Sequence, residues 1–311
     1  MLFRSDFLYQ YSNLGLTLAG EIVAATSGLP FEAYVRKRIL DPIGLKDTET
    51  EHLDKHRGGR LASGYTAPRR DGTRERVPPY QVRGIGPAAG FTSTVEDLGR
   101  FASWQLRVLA GEGDDVLDAD TLREMQRVQW MDPDWKTSRG LGFAIWRSGE
   151  QTFVGHGGYC PGYQSQLLLQ PAAKVATVFM TNSNGIDSRA FAQTAYDIVA
   201  PALKQAVENP GGAKPHDPAL ARYTGRYDSW LAGETWIVPW DDGLALIELP
   251  SSRPMADLVK LRPVGEHRFR RIRDDGGLAE EVRFDLAADG TPVRVWRHSN
   301  YEERPPGAAN P

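Results

Sequence analysis

A single stretch rich in turn-forming residues separates two parts of the chain that differ in hydrophobic period. Residues 208–215 read Glu-Asn-Pro-Gly-Gly-Ala-Lys-Pro, and such a cluster of glycine and proline interrupts both helices and strands. Before it, apolar residues recur mainly at helical spacing; after it, short alternating runs dominate. The length of 311 residues suits one large domain and a smaller one. We therefore predict a first domain at 1–207, a linker at 208–215 and a second domain at 216–311.

The first part opens with a predicted pair of helices. Gly28 supplies the left-handed residue that commonly ends a helix, and Pro30 suits the first turn of the next one. The pair Asp41-Pro42 is expected to stop the second helix. The first helix is predicted from an apolar stripe of Leu14, Leu18, Ile22 and Ala25, and the second from a stripe of Phe31, Val35 and Ile39.

Three further features predict the core of the first domain. Ser93 and Glu96 have the spacing of a capping box, with Ser93 as the cap of a helix that runs to about Ala110. A long helix from Ser188 to about Lys204 is expected to lie on a sheet. The sheet is an antiparallel meander predicted from short runs rich in Val, Phe, Leu and Thr at 152–158, 163–170 and 174–181. Together they indicate an α/β (α+β) fold, an antiparallel sheet flanked by helices.

The second part is expected to be a small antiparallel β-domain. Its alternating runs are separated by short turns, among them the hairpin pairs Asp242-Gly243 and Asp289-Gly290. Several short strands at close spacing are typical of both barrels and sandwiches. The sequence leaves these two architectures open.

Charge and cysteine content narrow the classes of function. The 37 Lys and Arg against 40 Asp and Glu give a net charge of −3, so there is no basic excess for nucleic acid. Cys160 is the only cysteine, which excludes an intramolecular disulfide. No apolar run has the length of a membrane span or a secretory leader, and the chain as written is expected to stay in the cytoplasm. No cofactor or metal-ligand set is predicted, and nothing specifies an oligomeric state.

Two short motifs have the character of a binding or catalytic site. Tyr11-Ser12-Asn13 precedes the first helix, where backbone amides and the helix dipole favour anions, and Ser12 is expected to pack or cap. Gly155-His156-Gly157-Gly158-Tyr159 carries glycines that would let a ligand lie against the backbone of a strand. Taken singly, each motif is equally compatible with packing or a turn.

Taken in order, these motifs and two further blocks resemble the penicillin-recognising serine hydrolases. That family includes class C β-lactamases, D-alanyl-D-alanine carboxypeptidases, D-aminopeptidases and related esterases. The resemblance extends from about Gln10 to Ala200. It is carried by YSNLGLTLAGEIVAATSGLPFEAYVRKRILDPIGL at 11–45, GFTSTVEDLGRF at 90–101, GHGGYCPGYQSQ at 155–166 and FMTNSNG at 179–185.

The resemblance implies a role for each site residue. The family nucleophile is the serine of a Ser-x-x-Lys motif, and Tyr11 matches the tyrosine that accepts its proton. Asn13 matches the residue that binds the substrate amide, and His156 stands where many relatives have lysine and some esterases and peptidases have histidine. Gly157 and Gly158 line the substrate, and the backbone amide of Tyr159 matches an oxyanion-hole donor. Tyr11 and His156 should therefore face one cleft. Relatives of full length are often periplasmic or secreted.

The sequence departs from the family at the nucleophile. None of its serines is followed three residues later by lysine, and an isolated phenol is a weak base at neutral pH. The chain as written is therefore expected to be inactive and to expose core that the missing segment would cover. One hypothesis is a truncated serine hydrolase acting on small amides, esters or peptides. The other is a non-catalytic protein that binds peptide or peptidoglycan or complements another chain.

Overall fold

The computed structural model describes residues 9–51, 56, 58–78, 81–113, 115–133, 135, 137–208, 217–229, 233–251 and 254–305. Contacts divide the chain into two compact units, one ending at Ala200 and the other beginning at Pro201. This division falls within one long helix, Ser188–Glu208. Apart from Glu208, the proposed linker at 208–215 lies outside the described residues.

The first unit contains a six-stranded antiparallel sheet whose strands follow chain order from β1 to β6. The expected meander is confirmed as its last three strands, whereas the short strands β1 to β3 were not predicted. Their two, three and five residues are too few to display a clear alternation. The strands are β1 Trp130–Met131, β2 Thr137–Arg139, β3 Ala144–Ser148, β4 Gln151–Cys160, β5 Tyr163–Gln170 and β6 Val175–Thr181.

Helices flank this sheet on both faces. The helices up to residue 208 are α1 Asn13–Ser27, α2 Phe31–Ile43, α3 Gly86–Ala89, α4 Val95–Leu109, α5 Ala119–Met125 and α6 Ser188–Glu208, of which α4 and α6 lie on the sheet. Helix α6 covers one face, where Tyr196 meets Phe153 edge to face with ring centroids 4.9 Å apart. Helix α4 packs against β5 and β6. The core under α6 contains Trp146, Phe153, Leu168, Val175, Ala192 and Tyr196. This arrangement confirms the predicted α/β (α+β) class.

The helix pair forms as predicted, but proline does not stop the second helix. Gly28 ends α1 at φ 68°. Helix α2 continues past Pro42 to Ile43 and ends at Gly44, which has φ 82°. Within α2, residues Arg36–Leu40 form a π-helical turn. Because this turn precedes Pro42, whose ring prevents it from donating a backbone hydrogen bond, the helix bulges instead of ending there.

The cap of α4 lies one residue later than the capping box predicts. Thr94 is extended at φ −116° and ψ 164°, and its hydroxyl accepts from the amide of Asp97. The Ser93 hydroxyl is instead 2.8 Å from that of Thr48, and Asp97 accepts from the Thr48 hydroxyl at 2.9 Å. Ser93 is therefore recruited by a residue 45 positions away, which a local motif does not reveal.

The second unit is a closed eight-stranded antiparallel barrel. Of the two architectures that the sequence allowed, barrel and sandwich, the barrel is therefore correct. Its order is β10-β11-β12-β13-β14-β7-β8-β9, closed by β9 pairing with β10. Tyr227 is fully buried in its core, where burial raises the pKa of its phenol above the ordinary range. The strands are β7 Gly225–Ser229, β8 Gly233–Trp240, β9 Gly243–Leu249, β10 Val259–Gly265, β11 Arg268–Ile272, β12 Leu278–Leu286, β13 Pro292–Arg297 and β14 Asn300–Glu303, with a short helix α7 at Pro254–Asp257.

Two helices of the chain carry apolar stripes that face solvent. On α1, Leu14, Leu18 and Ile22 are 63%, 53% and 63% exposed, although sequence spacing identifies them as the apolar face. Helix α6 exposes a second stripe, Phe191, Val199, Leu203 and Val207. In the described part of the chain no single helix has the length and apolar character to cross a membrane; α1 and α2 reach that length only as a pair bent by 78°.

A matched pair of leucine truncations distinguishes the packed core from these exposed stripes. Leu168→Ala removes a fully buried side chain from the core under α6 and should lower the free energy of unfolding by about 2–5 kcal/mol. Leu18→Ala makes the same chemical change on α1 and should alter it by less than about 0.5 kcal/mol. Urea denaturation of the two variants measures both values, and equal losses would contradict the difference in burial between Leu168 and Leu18.

Candidate functional site

The first half of the candidate site is the segment that leads into α1. Ser12 is the N-cap: it is extended, and its hydroxyl accepts from the amide of Gly15 at 3.0 Å. The guanidinium of Arg139 lies over the ring of Tyr9, 5.3 Å from its centroid, which anchors the segment from the other side. Between these two fixed points Tyr11 is 57% exposed, and Asn13 begins the helix with an exposed side chain.

Strand β4 supplies the second half. Successive side chains of a strand point to opposite faces, so Phe153 and Gly155 face α6 while Val154 and His156 face the other side. Val154 is buried and His156 is exposed at the end of that face. From His156 to Tyr159 the strand is solvent-accessible, although it stays paired with β5 from Leu167 to Gln164.

The fold brings Tyr11 and His156 together across 145 positions of sequence. Their ring centroids are 6.2 Å apart with an interplanar angle of 33°. The Nδ1 atom of His156 lies 2.7 Å from the carbonyl oxygen of Gly157, which accepts a hydrogen bond when Nδ1 carries a proton. In a neutral ring of this tautomer Nε2 is unprotonated, and this nitrogen is then able to accept a proton from a bound molecule.

The three glycines of β4 occupy their positions for different structural reasons. A side chain on Gly155 would collide with the backbone carbonyl of Leu167 on β5, so this glycine allows the close approach of the two strands. At Gly157 and Gly158 an added Cβ would meet side-chain atoms, those of Gln166 and Ser165. Both positions are exposed. Gly158 lies on the same face of the strand as His156, and its lack of a side chain leaves that surface open beside the imidazole.

Asn184 holds the turn that follows β4, called the site turn below (Cys160 to Tyr163). The turn from Cys160 to Tyr163 contains Pro161 and Gly162, and Gly162 has φ +86°, as expected for proline and glycine at the centre of a type II turn. The side chain of Asn184 accepts from the Gly162 amide at 2.7 Å. It donates to the carbonyls of Cys160 at 3.0 Å and Tyr163 at 3.3 Å. Asn184 is 8% exposed, so these bonds are shielded from water.

The segment from Ala62 to Arg74 packs against this turn. The Tyr163 hydroxyl donates to the carbonyl of Ala62 at 2.6 Å, and Gly64 lies so close to Gly162 that a side chain on either would clash. Arg74 donates to the carbonyl of Asn184 at 2.8 Å. Asn184 belongs to the closing block FMTNSNG, which the sequence marks only by its resemblance, and no local pattern reveals its contacts.

The structure thus juxtaposes Tyr11 and His156 and continues the strand through Gly157, Gly158 and Tyr159, which is 71% exposed. Asn13 lies two residues from Tyr11 at the start of α1. Within the described residues, no three His, Cys, Asp or Glu side chains converge on a point suitable for a metal ion. Pairing of β4 with β3 ends at Gly155, so the strand edge beside His156 is open. The juxtaposed groups are a phenol, an imidazole and this open strand edge, a set suited to proton transfer and polar binding.

Replacing Asn184 tests the role of its side chain in holding the site turn. Asn184→Ala should lower the free energy of unfolding by about 2–4 kcal/mol, because buried backbone groups lose their partners, and should accelerate hydrogen exchange at the Gly162 amide. Asn182→Ala is the control: this asparagine is exposed, and its side chain donates to the Ser63 carbonyl at 2.7 Å. Its loss should cost no more than about 1 kcal/mol. Unchanged exchange at Gly162 in Asn184→Ala would refute this assignment.

Replacing Gly155 tests whether β4 and β5 lie as close together as the structure shows. Gly155→Ala should destabilise the protein by about 2–3 kcal/mol, since the clash is with backbone that can only move by separating the strands. Gly99→Ala, at an exposed interior position of α4 with nothing near its Cβ, should stabilise it by about 0.5–1 kcal/mol. Thermal and urea unfolding measure the change in stability of each variant. If Gly155→Ala left the free energy of unfolding unchanged, the two strands would have to lie farther apart.

Comparison with known proteins identifies relatives of the first unit and of the whole chain. The beta-lactamase family model matches residues 8–200. Beta-lactamase-like protein 2 of Dictyostelium discoideum is 24% identical over 213 residues, which cover 68% of this chain and 37% of that protein. The unguisins hydrolase of Aspergillus campestris is 24% identical over 343 residues, covering 95% of this chain and 62% of that protein.

A solved structure shares the fold. The octameric penicillin-binding protein homologue of Pyrococcus abyssi superposes with a TM-score of 0.55 at 21% identity, covering 95% of this chain and 64% of that chain. The chain therefore spans between about a third and two thirds of the length of these relatives, 37% to 64%.

Proposed function

The chain belongs to the beta-lactamase family, and from that premise we propose that its site serves a serine hydrolase acting on amide or ester bonds. The observation that carries the proposal is the juxtaposition of Tyr11 and His156, with ring centroids 6.2 Å apart, beside an open strand. The substrate is a small amide, ester or peptide that lies along Gly157 and Gly158. Asn13 binds its amide group.

The proposed chemistry proceeds through an acyl-enzyme. Tyr11, as phenolate, accepts the proton of a serine hydroxyl, whose oxygen attacks the substrate carbonyl. The backbone N–H of Tyr159 donates to the oxyanion that forms. His156 binds the substrate or relays a proton through Nε2, because its Nδ1 is engaged by the carbonyl of Gly157. The intermediate collapses, the bond from the carbonyl carbon to the leaving group breaks, and the amine or alcohol departs with the proton that Tyr11 had taken. Water then gives a proton to Tyr11 and attacks the acyl-serine ester, which releases the carboxylic acid and returns the proton to the serine oxygen.

The serine and its lysine come from outside the 311 residues in this proposal. No Ser-x-x-Lys occurs among them, and Ser12, the serine nearest to Tyr11 in sequence, is engaged as the N-cap of α1. The solvent-facing stripe of Leu14, Leu18 and Ile22 supports a further segment that covers this helix, since apolar helix faces of this width are normally buried. The absence of the motif equally favours the second candidate, a non-catalytic peptide- or peptidoglycan-binding or chain-complementing protein.

A labelling experiment separates the two candidates. The 311-residue chain alone should give no covalent adduct with a fluorophosphonate or a β-lactam, because it lacks the activated serine. A chain extended by its upstream coding sequence, if that sequence encodes Ser-x-x-Lys in frame, should be labelled on that serine. In the extended protein Tyr11→Phe should lower kcat/KM at least about 100-fold, as expected for a general base, whereas Tyr9→Phe should not. Labelling of the 311-residue chain would overturn the outside origin of the serine, and an upstream sequence without the motif would sink the hydrolase proposal.

The charge at position 156 should set substrate preference in the extended protein. An imidazole attracts a substrate carboxylate less than an ammonium does at neutral pH. His156→Lys should therefore raise kcat/KM for a carboxylate-bearing substrate by about tenfold relative to a neutral p-nitrophenyl ester, equivalent to about 1.4 kcal/mol. His156→Ala should lower both values if the imidazole also relays a proton. Parallel kinetics on the two substrates measure this; equal changes in His156→Lys would remove the electrostatic role.

A further inference from the structure

One end of the β-barrel contains a cleft that combines an apolar floor with charged walls. Its volume is about 440 Å³, within the range of roughly 300–1,000 Å³ typical of sites for small molecules. Leu246 and Val282, both buried members of the barrel core, form part of its lining together with Val259. The hydrolase site lies in the other unit, so the barrel cleft is independent of the function proposed above.

A buried carboxylate lies among these lining residues. Glu302 is on β14 opposite Val295, a fully buried core residue, so its side chain points into the barrel. It is 4% exposed, and its Oε1 accepts a hydrogen bond from Nη2 of Arg297. Its other oxygen, Oε2, is buried and has no hydrogen-bond partner among the described residues. A buried carboxylate oxygen without a protein donor is costly, and because Glu302 lines the cleft, a donor bound there would relieve this cost.

Among the described residues, the carboxylates at the cleft and their ion-pair partners leave one negative charge without its own guanidinium. Arg297 also donates to Oε1 of Glu248 at 2.6 Å, so one guanidinium serves two carboxylates. Burial acts to lower the pKa of Arg297, but the hydrogen bond to Glu248 and the charge of Glu302 outweigh it and hold that pKa above its ordinary value. The other acidic lining residues have their own partners, Arg268 for Glu281 and Arg271 for Glu280.

We propose that this cleft binds a small organic ammonium ion with a short apolar chain. The ammonium group donates to Oε2 of Glu302, and the chain lies against Leu246, Val259 and Val282. A hydrogen-bonded cation satisfies both the orphaned oxygen and the surplus charge, whereas an anion would satisfy neither. A metal ion fits less well, because no three His, Cys, Asp or Glu side chains converge in the described part of the chain.

Two ligands of the same length test the sign of the charge. Titration of the full 311-residue chain with n-butylammonium, followed by amide chemical shifts, should give saturable changes in residues 298–302. Butyrate should bind at least about tenfold more weakly, the loss expected when one charge-assisted hydrogen bond is removed. Equal binding of butyrate, or no saturable binding of butylammonium, would overturn the proposal.

Two variants on one strand locate the interaction. Glu302→Gln keeps the shape of the side chain and removes its charge, and should weaken butylammonium binding at least about tenfold. Glu303→Gln makes the same change one residue away, where the carboxylate is 56% exposed and paired with Arg294, and should leave binding unaltered. Should Glu302→Gln fail to fold, Val259→Phe narrows the cleft, retains the carboxylate and should produce the same loss. Unchanged affinity in a folded Glu302→Gln or in Val259→Phe would refute the site.

Discussion

The pairing of β4 with β5 and the burial of β4 beneath α6 determine where the candidate site lies. Phe153 is fully buried against Tyr196 of α6, and strand alternation then directs His156 to the opposite face, three residues further on. At the far end of the strand Asn184 fixes the turn through three side-chain hydrogen bonds. The solvent-exposed strand residues between these anchors are therefore held by packing on one side and by polar contacts on the other.

The first unit is packed on part of its surface and open on the rest. Leu168 has no solvent exposure, whereas Leu18 on α1 is 53% exposed, although both belong to regular apolar patterns. Because burial of a leucine side chain contributes about 1.5–3 kcal/mol, the stripes on α1 and α6 represent stabilisation that this chain does not realise by itself. The open surface and the missing Ser-x-x-Lys motif are accounted for by one proposal, a segment that covers α1 and brings the nucleophile to Tyr11.

The barrel has a different organisation, in which charges enter a closed apolar core. Ring contacts among Tyr223, Phe269 and Phe284 fill its interior. Among the described barrel residues Glu302 is the exception, a buried carboxylate that shares Arg297 with Glu248. Buried ion pairs seldom stabilise a fold as much as apolar residues of the same volume, so this arrangement is better understood through what the cleft can bind than through stability.

By itself the sequence determined the elements whose signals are local. These are the two helices on either side of Gly28, the meander, the long helix from Ser188 and the β-rich second part. The motifs of Tyr11 and His156 were also visible, by resemblance. Tertiary structure decided what depends on distant residues. It shifted the α4 cap to Thr94 because Ser93 contacts Thr48, extended α2 past Pro42 through a π-turn, closed the strands into a barrel and placed Asn184 under the site turn. Spacing along a chain encodes period and capping, whereas strand closure, cross-chain hydrogen bonds and the exposure of an apolar stripe arise only when remote segments meet.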